Sequence, residues 1–166
     1  MPLIKAYLIT IVMIKSLEKA ESLKILDDNY IGHLAYVYQN RPFVIPITYY
    51  FDAENNTIIC YSDEGHKINA MRKNPSVSLE VAEIESVNIW QSVLAQGEYE
   101  ELQGIDSKNS LHDFSNGIKK IINKKEKSNP QFISEFSSKI YSEGIPIVFR
   151  INITDITGRQ RIHKNL

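Results

Sequence analysis

The chain has 166 residues and one cysteine, and its 19 Lys and Arg residues nearly balance its 20 Asp and Glu residues. This length suits a single domain that buries about two-thirds of its unfolded surface. The net charge of −1 argues against a dedicated nucleic-acid-binding protein. The single Cys60 excludes an intrachain disulfide and favours a reducing compartment, so we expect a cytoplasmic protein.

The first fourteen residues are apolar except for Lys5 and Thr10. The run is too short to span a membrane and has no small-residue cleavage motif, so we expect no membrane partner. Residues 1–15 are interpreted as an extension that is dispensable or adds a strand, and residues 16–166 as one domain. A degenerate signal peptide and a natural start at Met13 are the alternatives.

The next part of the chain predicts a helix followed by a ladder of hairpins. Ser16 is predicted to cap a helix over Leu17–Asp28, because leucines recur along one face. Strands are predicted over Tyr30–Tyr38 and Phe43–Phe51, separated by a turn of residues 39–42.

The central stretch, residues 57–81, reads as strand, glycine-bearing loop, short helix, proline stop and strand. A β-branched and aromatic strand covers Thr57–Tyr61, and a helix begins near Gly65–His66. The pair Asn74-Pro75 ends this helix, because the residue before a proline is pushed out of the α region. Ser76–Val81 alternates as the next strand.

A strand–loop–helix turn of this kind presents unpaired N–H groups and the positive end of a helix to an anion. Ser62 adds a hydroxyl, His66 a second donor, and Lys67 a point charge that suits a phosphate. Alternatively, Lys67, Arg72 and Lys73 form an ordinary solvated helix face.

The second half predicts a strand, a helical hairpin and a last strand. Ile89–Glu100 is the strand, and Gly97 within it suggests a bulge or a close backbone approach. The spacing of apolar residues predicts a helical hairpin over Ser107–Ser142, with its second helix restarting at Pro130. A strand over residues 147–154 follows, and the tail after it is polar and basic. The fold class is therefore mainly β: a small antiparallel β-barrel with an N-terminal helix and a late helical hairpin. No metal site is expected, because the four histidines lack ligand spacing.

Four segments together resemble the FMN-binding split-barrel proteins, relatives of pyridoxamine 5′-phosphate oxidase, and especially their nitroimidazole-reductase-like branch. They are IGHLAYVYQNRPFVIPITYYF, YSDEGHKINAMRKNPSVSLEV, WQSVLAQGEYEEL and VFRINITDITGR. The similarity covers roughly residues 31–102 and 146–159.

The resemblance implies a homodimer that binds FMN in a groove at the subunit interface. Residues beside the flavin ring would be Ile45, Pro46, Ile47 and Thr48, through their backbone groups. Residues around the ribityl phosphate would be Tyr61, Ser62, Gly65, His66 and Lys67. Ser92 would add a polar flavin contact, and Trp90 would either line the flavin or belong to the barrel core.

The resemblance also implies an FMN-dependent oxidoreductase that takes electrons from NAD(P)H and reduces a small-molecule substrate. Ile45 and Tyr50 stand where pyridoxamine phosphate oxidases carry Arg and Lys, which argues against vitamin B6 oxidation. No catalytic residue is assigned; His33 and Tyr49 only flank the predicted flavin strand. The alternatives are a flavin store, sensor or carrier without turnover, and a split barrel that binds haem or deazaflavin.

Overall fold

A computed structural model of the chain describes the backbone of residues 10–126 and 146–165, with side chains for residues 13–126 and 146–162. The elements in chain order are β1 (Thr10–Ser16), α1 (Lys19–Asp28), β2 (Ile31–Tyr38), β3 (Arg41–Thr48), β4 (Tyr50–Asp52), β5 (Thr57–Ser62), α2 (His66–Lys73), β6 (Ser76–Ser86), β7 (Ile89–Glu101), α3 (Gly104–Glu126) and β8 (Ile147–Asn165). The prediction of a mainly β, antiparallel fold is confirmed.

The eight strands of the described residues form one sheet in the order β3-β2-β6-β7-β8-β5-β4, with β1 attached to β8. All pairings are antiparallel. Strand β8 organises the sheet: β7 pairs along one of its edges, while β5 and β1 pair in succession along the other. The helices cover the sheet, α1 over the larger core cluster and α3 over a smaller one around Phe114 and Ile118.

Helix α1 begins later than predicted, and Ser16 does not cap it. Ser16 is the last residue of β1, and the helix is capped at Glu18, whose N–H donates to the Glu21 carboxylate at 2.7 Å. In a capping box of this kind, the carboxylate three residues after the cap accepts from the N–H of the capping residue. The helix is anchored to the sheet by the fully buried Tyr49, whose hydroxyl donates to the Leu26 carbonyl at 2.9 Å.

The single strand predicted over residues 43–51 is in fact two strands. Thr48 pairs with Ile31 of β2, whereas Tyr50 pairs with Ile59 of β5, so the chain changes sheet partners at Tyr49. The preceding turn is also tighter than predicted. It consists of Gln39 and Asn40 alone, with φ of 48° and 60°, which is the favoured conformation of a two-residue hairpin loop.

The last strand is longer than the predicted residues 147–154. β8 continues to Asn165, because β7 and β1 pair with it on both edges. The predicted bulge or close backbone approach at Gly97 is confirmed: a Cβ on Gly97 would lie 2.3 Å from the Asn152 carbonyl oxygen, and the β7–β8 register shifts beside it, with Thr154 of β8 as the extra residue. The first helix of the predicted hairpin begins at Gly104 instead of Ser107, and the second lies outside the described residues.

Candidate functional site

The predicted anion-binding corner lies between β5 and α2. Ile68, Ala70 and Met71 are fully buried and hold the helix against the core. The helix's first-turn backbone bond runs from the Asn69 N–H to the Gly65 carbonyl at 3.0 Å. The N–H groups of the residues between them have no acceptor within the helix, so they remain available to an anion.

The three cations of α2 have different environments. Arg72 is held by two carboxylates, those of Glu64 and Glu101, at 2.6–3.1 Å. The hydrogen bond to Glu101, with that to Glu64 second, raises the pKa of the guanidinium. The Lys73 ammonium lies 5.3 Å from the centre of the Tyr38 ring. Lys67, in contrast, is half-buried and has no hydrogen bond or ion pair with any residue that the structure describes. Arg72 and Lys73 therefore already have partners within the chain, and the phosphate interpretation stays a prediction for Lys67.

Tyr61 and Ser62, predicted together at the phosphate, point to opposite faces of β5. The Tyr61 ring packs edge-on against Phe114 of α3 at 5.1 Å, and burial raises the pKa of its hydroxyl. Ser62 is buried on the side of the corner, but its hydroxyl donates to the Asp63 carbonyl at 2.8 Å. In this conformation the Ser62 hydroxyl can accept a hydrogen bond from a ligand, but it must rotate away from Asp63 to donate one.

His66 is exposed, and its ring belongs to an aromatic cluster at the β2–β3 hairpin that the sequence pattern did not predict. The His66 ring lies 4.9 Å from Phe43 and 5.0 Å from Tyr38, and its Nδ1 is 3.1 Å from the Tyr36 hydroxyl. Tyr36 and Phe43 are stacked at 5.3 Å and join the cluster to the core. A two-residue hairpin loop would have placed Tyr36 opposite Phe43, and the longer predicted turn concealed this pairing.

Strand β3 is an edge strand, so half of its backbone groups face away from the sheet. The N–H of Tyr49 donates to the Tyr30 carbonyl at 2.8 Å, which identifies the odd-numbered residues as those that bond to β2. Ile45 and Ile47 therefore use their backbone in the sheet and pack their side chains on the core. Pro46 and Thr48 face the open edge, where Pro46 offers only a carbonyl and Thr48 an N–H as well.

Trp90 and Ser92 are separated from the corner within one chain. Ser92 and Leu94 lie on the outer face of the sheet. Val93 and Ala95, which flank Leu94, are buried and point into the core. The cluster around Tyr36 lies on the inner face. Ser92 pairs with Ala82, four residues beyond the Ser78 that pairs with β2 next to Tyr36, or about 13 Å along an extended strand. Trp90 lies a further two residues away.

Two cavities of more than 500 Å³ are lined by described residues outside this corner. One of about 590 Å³ lies between α1, β4 and α3 and is lined by Tyr50, Asp113 and Lys120 among others. The other, of about 540 Å³, is lined by Trp90 and by Arg161, which faces Trp90 across the β7–β8 pair. The Arg161 Nε is buried and has no hydrogen-bond partner among the described residues.

The two residues considered near the flavin strand both have structural partners. The His33 Nδ1 lies 3.0 Å from a Glu80 carboxylate oxygen on the outer face, and Tyr49 is the buried anchor of α1. Burial also raises the pKa of the Cys60 thiol, as expected of an inert core cysteine. Within the described part of the chain, no three His, Cys, Asp or Glu side chains are grouped as metal ligands, and no helix has the length and apolarity to cross a membrane.

The comparisons with known proteins agree with this fold. A family model described as pyridoxamine 5′-phosphate oxidase matches residues 18–160. An uncharacterized protein of Rhizobium meliloti (strain 1021) is 30% identical over 129 residues, which are 78% of this chain and 83% of that protein.

Solved structures show the same architecture. The crystal structure of a FAD-binding protein from Mesorhizobium loti superimposes with a TM-score of 0.68 at 28% identity, over 90% of this chain and 98% of that one. A Bacteroides thetaiotaomicron protein, provisionally assigned to 5-nitroimidazole antibiotic resistance, gives a TM-score of 0.64 at 13% identity, over 93% of this chain and 92% of that one. The family model spans most of the chain, so the protein belongs to the pyridoxamine 5′-phosphate oxidase family.

Proposed function

We propose that this protein is a flavoprotein that binds FMN, with the flavin phosphate at the β5–α2 corner. The observation that carries the proposal is Lys67: it is the cation of α2 without a partner among the described residues, and it adjoins the free N–H groups of the first helical turn. Arg72 is committed to two carboxylates. The charge of Lys67 and the backbone donors together suit a phosphate dianion.

The flavin ring then lies along the open edge of β3. Pro46 supplies a carbonyl and Thr48 a carbonyl and an N–H to the polar edge of the ring, whereas Ile45 and Ile47 hold the strand to the core. This assignment narrows the predicted four-residue contact to its two outward-facing members. Binding of a flavin is supported by the Mesorhizobium loti relative, which is described as a FAD-binding protein and is similar over nearly its whole length.

A second copy of the chain completes the site in this proposal. Ser92 and Trp90 contact the flavin from the partner subunit, because in their own chain they lie on the opposite face from the phosphate corner. The outer face of the sheet is apolar enough to be covered: Ile31, Val37, Val44 and Leu94 are exposed there. Exposed apolar surface of this kind marks protein interfaces.

The activity that fits is that of an oxidoreductase that takes reducing equivalents from NAD(P)H and passes them to a small oxidised substrate. A bound flavin supplies the hydride and electron chemistry. The chain's own residues bind the phosphate, orient the ring along β3 and exclude water from it. His33 and Tyr49 take no part, because both are engaged elsewhere.

The test is a titration of flavin-free protein with FMN, followed by absorbance and fluorescence, for the wild type, Lys67→Ala and Lys108→Ala. Charge-assisted hydrogen bonds are worth about 1.5–3 kcal/mol, so Lys67→Ala should weaken binding roughly ten- to a hundredfold. Lys108 is an exposed lysine on α3 and serves as the charge-matched control. Unchanged affinity in Lys67→Ala, or no FMN binding by the wild type, would contradict the proposal.

Turnover is tested separately. Anaerobic addition of NADH or NADPH to the FMN complex should bleach the flavin absorbance if the protein is an oxidoreductase. A complex that binds FMN tightly but is not bleached by either nucleotide is a flavin store, sensor or carrier.

A further inference from the structure

We propose that Arg72 is a positioning residue for the flavin phosphate, because it holds the Glu64 carboxylate out of the β5–α2 corner. Without Arg72, this carboxylate would compete with the phosphate for the same donors. The inference rests on the proposed phosphate site, since it concerns what keeps that site open to a ligand. It is carried by the place of Glu64 in the chain, by its bond to Arg72, and by the support that Arg72 receives from β7.

Glu64 lies where its side chain can compete with a phosphate. It is the residue before Gly65, the N-cap of α2, and it precedes Lys67 by three residues. A carboxylate next to the first turn of a helix is attracted by the free N–H groups and by the positive end of the helix dipole. A free Glu64 could therefore accept from the same N–H groups, and pair with the same ammonium, that the proposed function assigns to the flavin phosphate.

Arg72 directs the Glu64 carboxylate to another part of the helix. The Glu64 Oε1 accepts from Nη1 at 2.6 Å and its Oε2 from Nη2 at 3.1 Å. A two-point bond of this kind fixes the orientation of the carboxylate as well as its position. Arg72 follows Lys67 by five residues, which places it about 140° further around the helix axis. Glu64 is thus drawn away from the face of α2 that carries Lys67.

The guanidinium of Arg72 is itself fixed by the end of β7. Glu101 accepts from its Nε at 2.7 Å and from its Nη2 at 2.9 Å. The Tyr99 hydroxyl donates to the same Glu101 carboxylate at 3.0 Å and helps to orient it. The Glu101 side chain is 22% exposed, whereas that of Glu64 is 57% exposed. The less exposed carboxylate therefore anchors the guanidinium to the sheet, and the guanidinium restrains the more exposed one in the loop.

Two neighbouring residues allow the effect of Glu64 to be separated from a general effect of charge. Asp63 is the other acidic residue of the loop, and its carboxylate has no hydrogen bond or ion pair with a described residue. Removal of Arg72 therefore takes no partner away from Asp63. Lys73 carries the same charge as Arg72 and follows it directly, but its ammonium lies over the Tyr38 ring.

The experiment measures the dissociation constants of FMN and riboflavin for flavin-free wild type, Arg72→Gln, Glu64→Gln and the double variant of both. Arg72→Gln should weaken FMN binding about three- to tenfold and change riboflavin binding less than about twofold, because the released Glu64 competes only with the phosphate. Addition of Glu64→Gln should restore the FMN affinity to within about twofold of wild type. Two controls, Lys73→Gln alone and Asp63→Asn added to Arg72→Gln, should respectively cause no such loss and no such rescue.

The outcomes separate this inference from the proposed function. Unchanged FMN affinity in Arg72→Gln, a loss that Glu64→Gln does not restore, a loss that Asp63→Asn restores equally well, or equal losses for FMN and riboflavin would each overturn it and leave the phosphate site at Lys67 in place. No FMN binding by the wild type would overturn the proposed function and this inference with it.

Glu64→Gln alone decides the matter even if Arg72→Gln fails to fold, because Glu64 is an exposed loop residue. If Arg72 already holds this carboxylate away from the corner, the FMN affinity of Glu64→Gln should differ from wild type by less than about twofold. A gain of about tenfold would overturn the inference, because Glu64 would then already compete with the phosphate in the wild type.

Discussion

Arg72 of α2 and Glu101 at the end of β7 form a two-point ion pair, with Nε 2.7 Å from Oε2 and Nη2 2.9 Å from Oε1. The same guanidinium also binds Glu64 in the loop before α2. One side chain thus ties the loop, the helix and the end of a central strand together. This arrangement fixes the position of the corner at which Lys67 lies.

The ion pair predicts a pH dependence of stability. Hydrogen bonding to Arg72 holds the pKa of Glu101 below its ordinary value of 4.5. A carboxyl whose pKa is lowered by folding stabilises the protein above its unfolded pKa, and that contribution is lost as the pH falls through the folded value. Arg72→Gln should therefore lower the free energy of unfolding most above about pH 5, and the difference from wild type should shrink below about pH 4.

Urea unfolding of both proteins over this pH range measures the effect. Because the pair is partly exposed, the difference should be small at every pH and reduced by salt. A difference that is the same at about pH 3 and about pH 7 would show that Arg72 acts through packing and not through Glu101.

At Gly97 the strands β7 and β8 approach so closely that no side chain fits between them. A Cβ there would lie 2.3 Å from the backbone oxygen of Asn152, an atom that cannot move without distorting β8. Gly97→Ala should lower the free energy of unfolding by about 1–3 kcal/mol, as overpacking does elsewhere. Gly65→Ala is the control, because nothing lies within 4 Å of a Cβ at Gly65 and its backbone is extended. Equal stability of the two variants in chemical denaturation would contradict the close approach.

If Lys67 of one copy and Ser92 of the other form one flavin site, mixed dimers of two variants should regain binding. Lys67→Ala removes the phosphate charge, and Ser92→Leu should block the flavin from the outer face of the partner. Neither variant alone should bind FMN well. After unfolding and refolding of an equimolar mixture, the hybrid dimers carry one intact site and one doubly altered site, so tight binding should reappear.

The fraction of FMN sites that should be recovered in the mixture can be calculated. With random reassociation half of the dimers are hybrids, so about one quarter of all sites should bind with wild-type affinity, as counted by FMN titration. No recovery in the mixture, while refolded wild type binds fully, would mean that Lys67 and Ser92 serve the same site within one chain.

The sequence predicted those features that local chemistry determines. The strand–loop–helix turn was found correctly because β-branched residues, a glycine and the Asn74-Pro75 pair mark its parts within one continuous stretch, residues 57–81. The close approach at Gly97 was predicted because a glycine inside a strand commonly marks a bulge or a close backbone approach.

The features that the sequence did not predict depend on partners distant in the chain. The polar segment after Thr154 is a strand only because β7 and β1 pair with both of its edges. The break at Tyr49 arises from a change of partner from β2 to β5, which leaves no local mark. Likewise, nothing near His66 in the sequence shows that its ring packs against Tyr36, Tyr38 and Phe43.

The most direct test of the proposed phosphate site compares FMN with riboflavin, which lacks the phosphate, on wild type and on Lys67→Ala. If Lys67 binds the phosphate, Lys67→Ala should lower the affinity for FMN roughly ten- to a hundredfold. The affinity for riboflavin should be the same for both proteins. A loss of affinity for both flavins in equal proportion would contradict the proposal, because Lys67 would then act on the fold or on the ring and not on the phosphate.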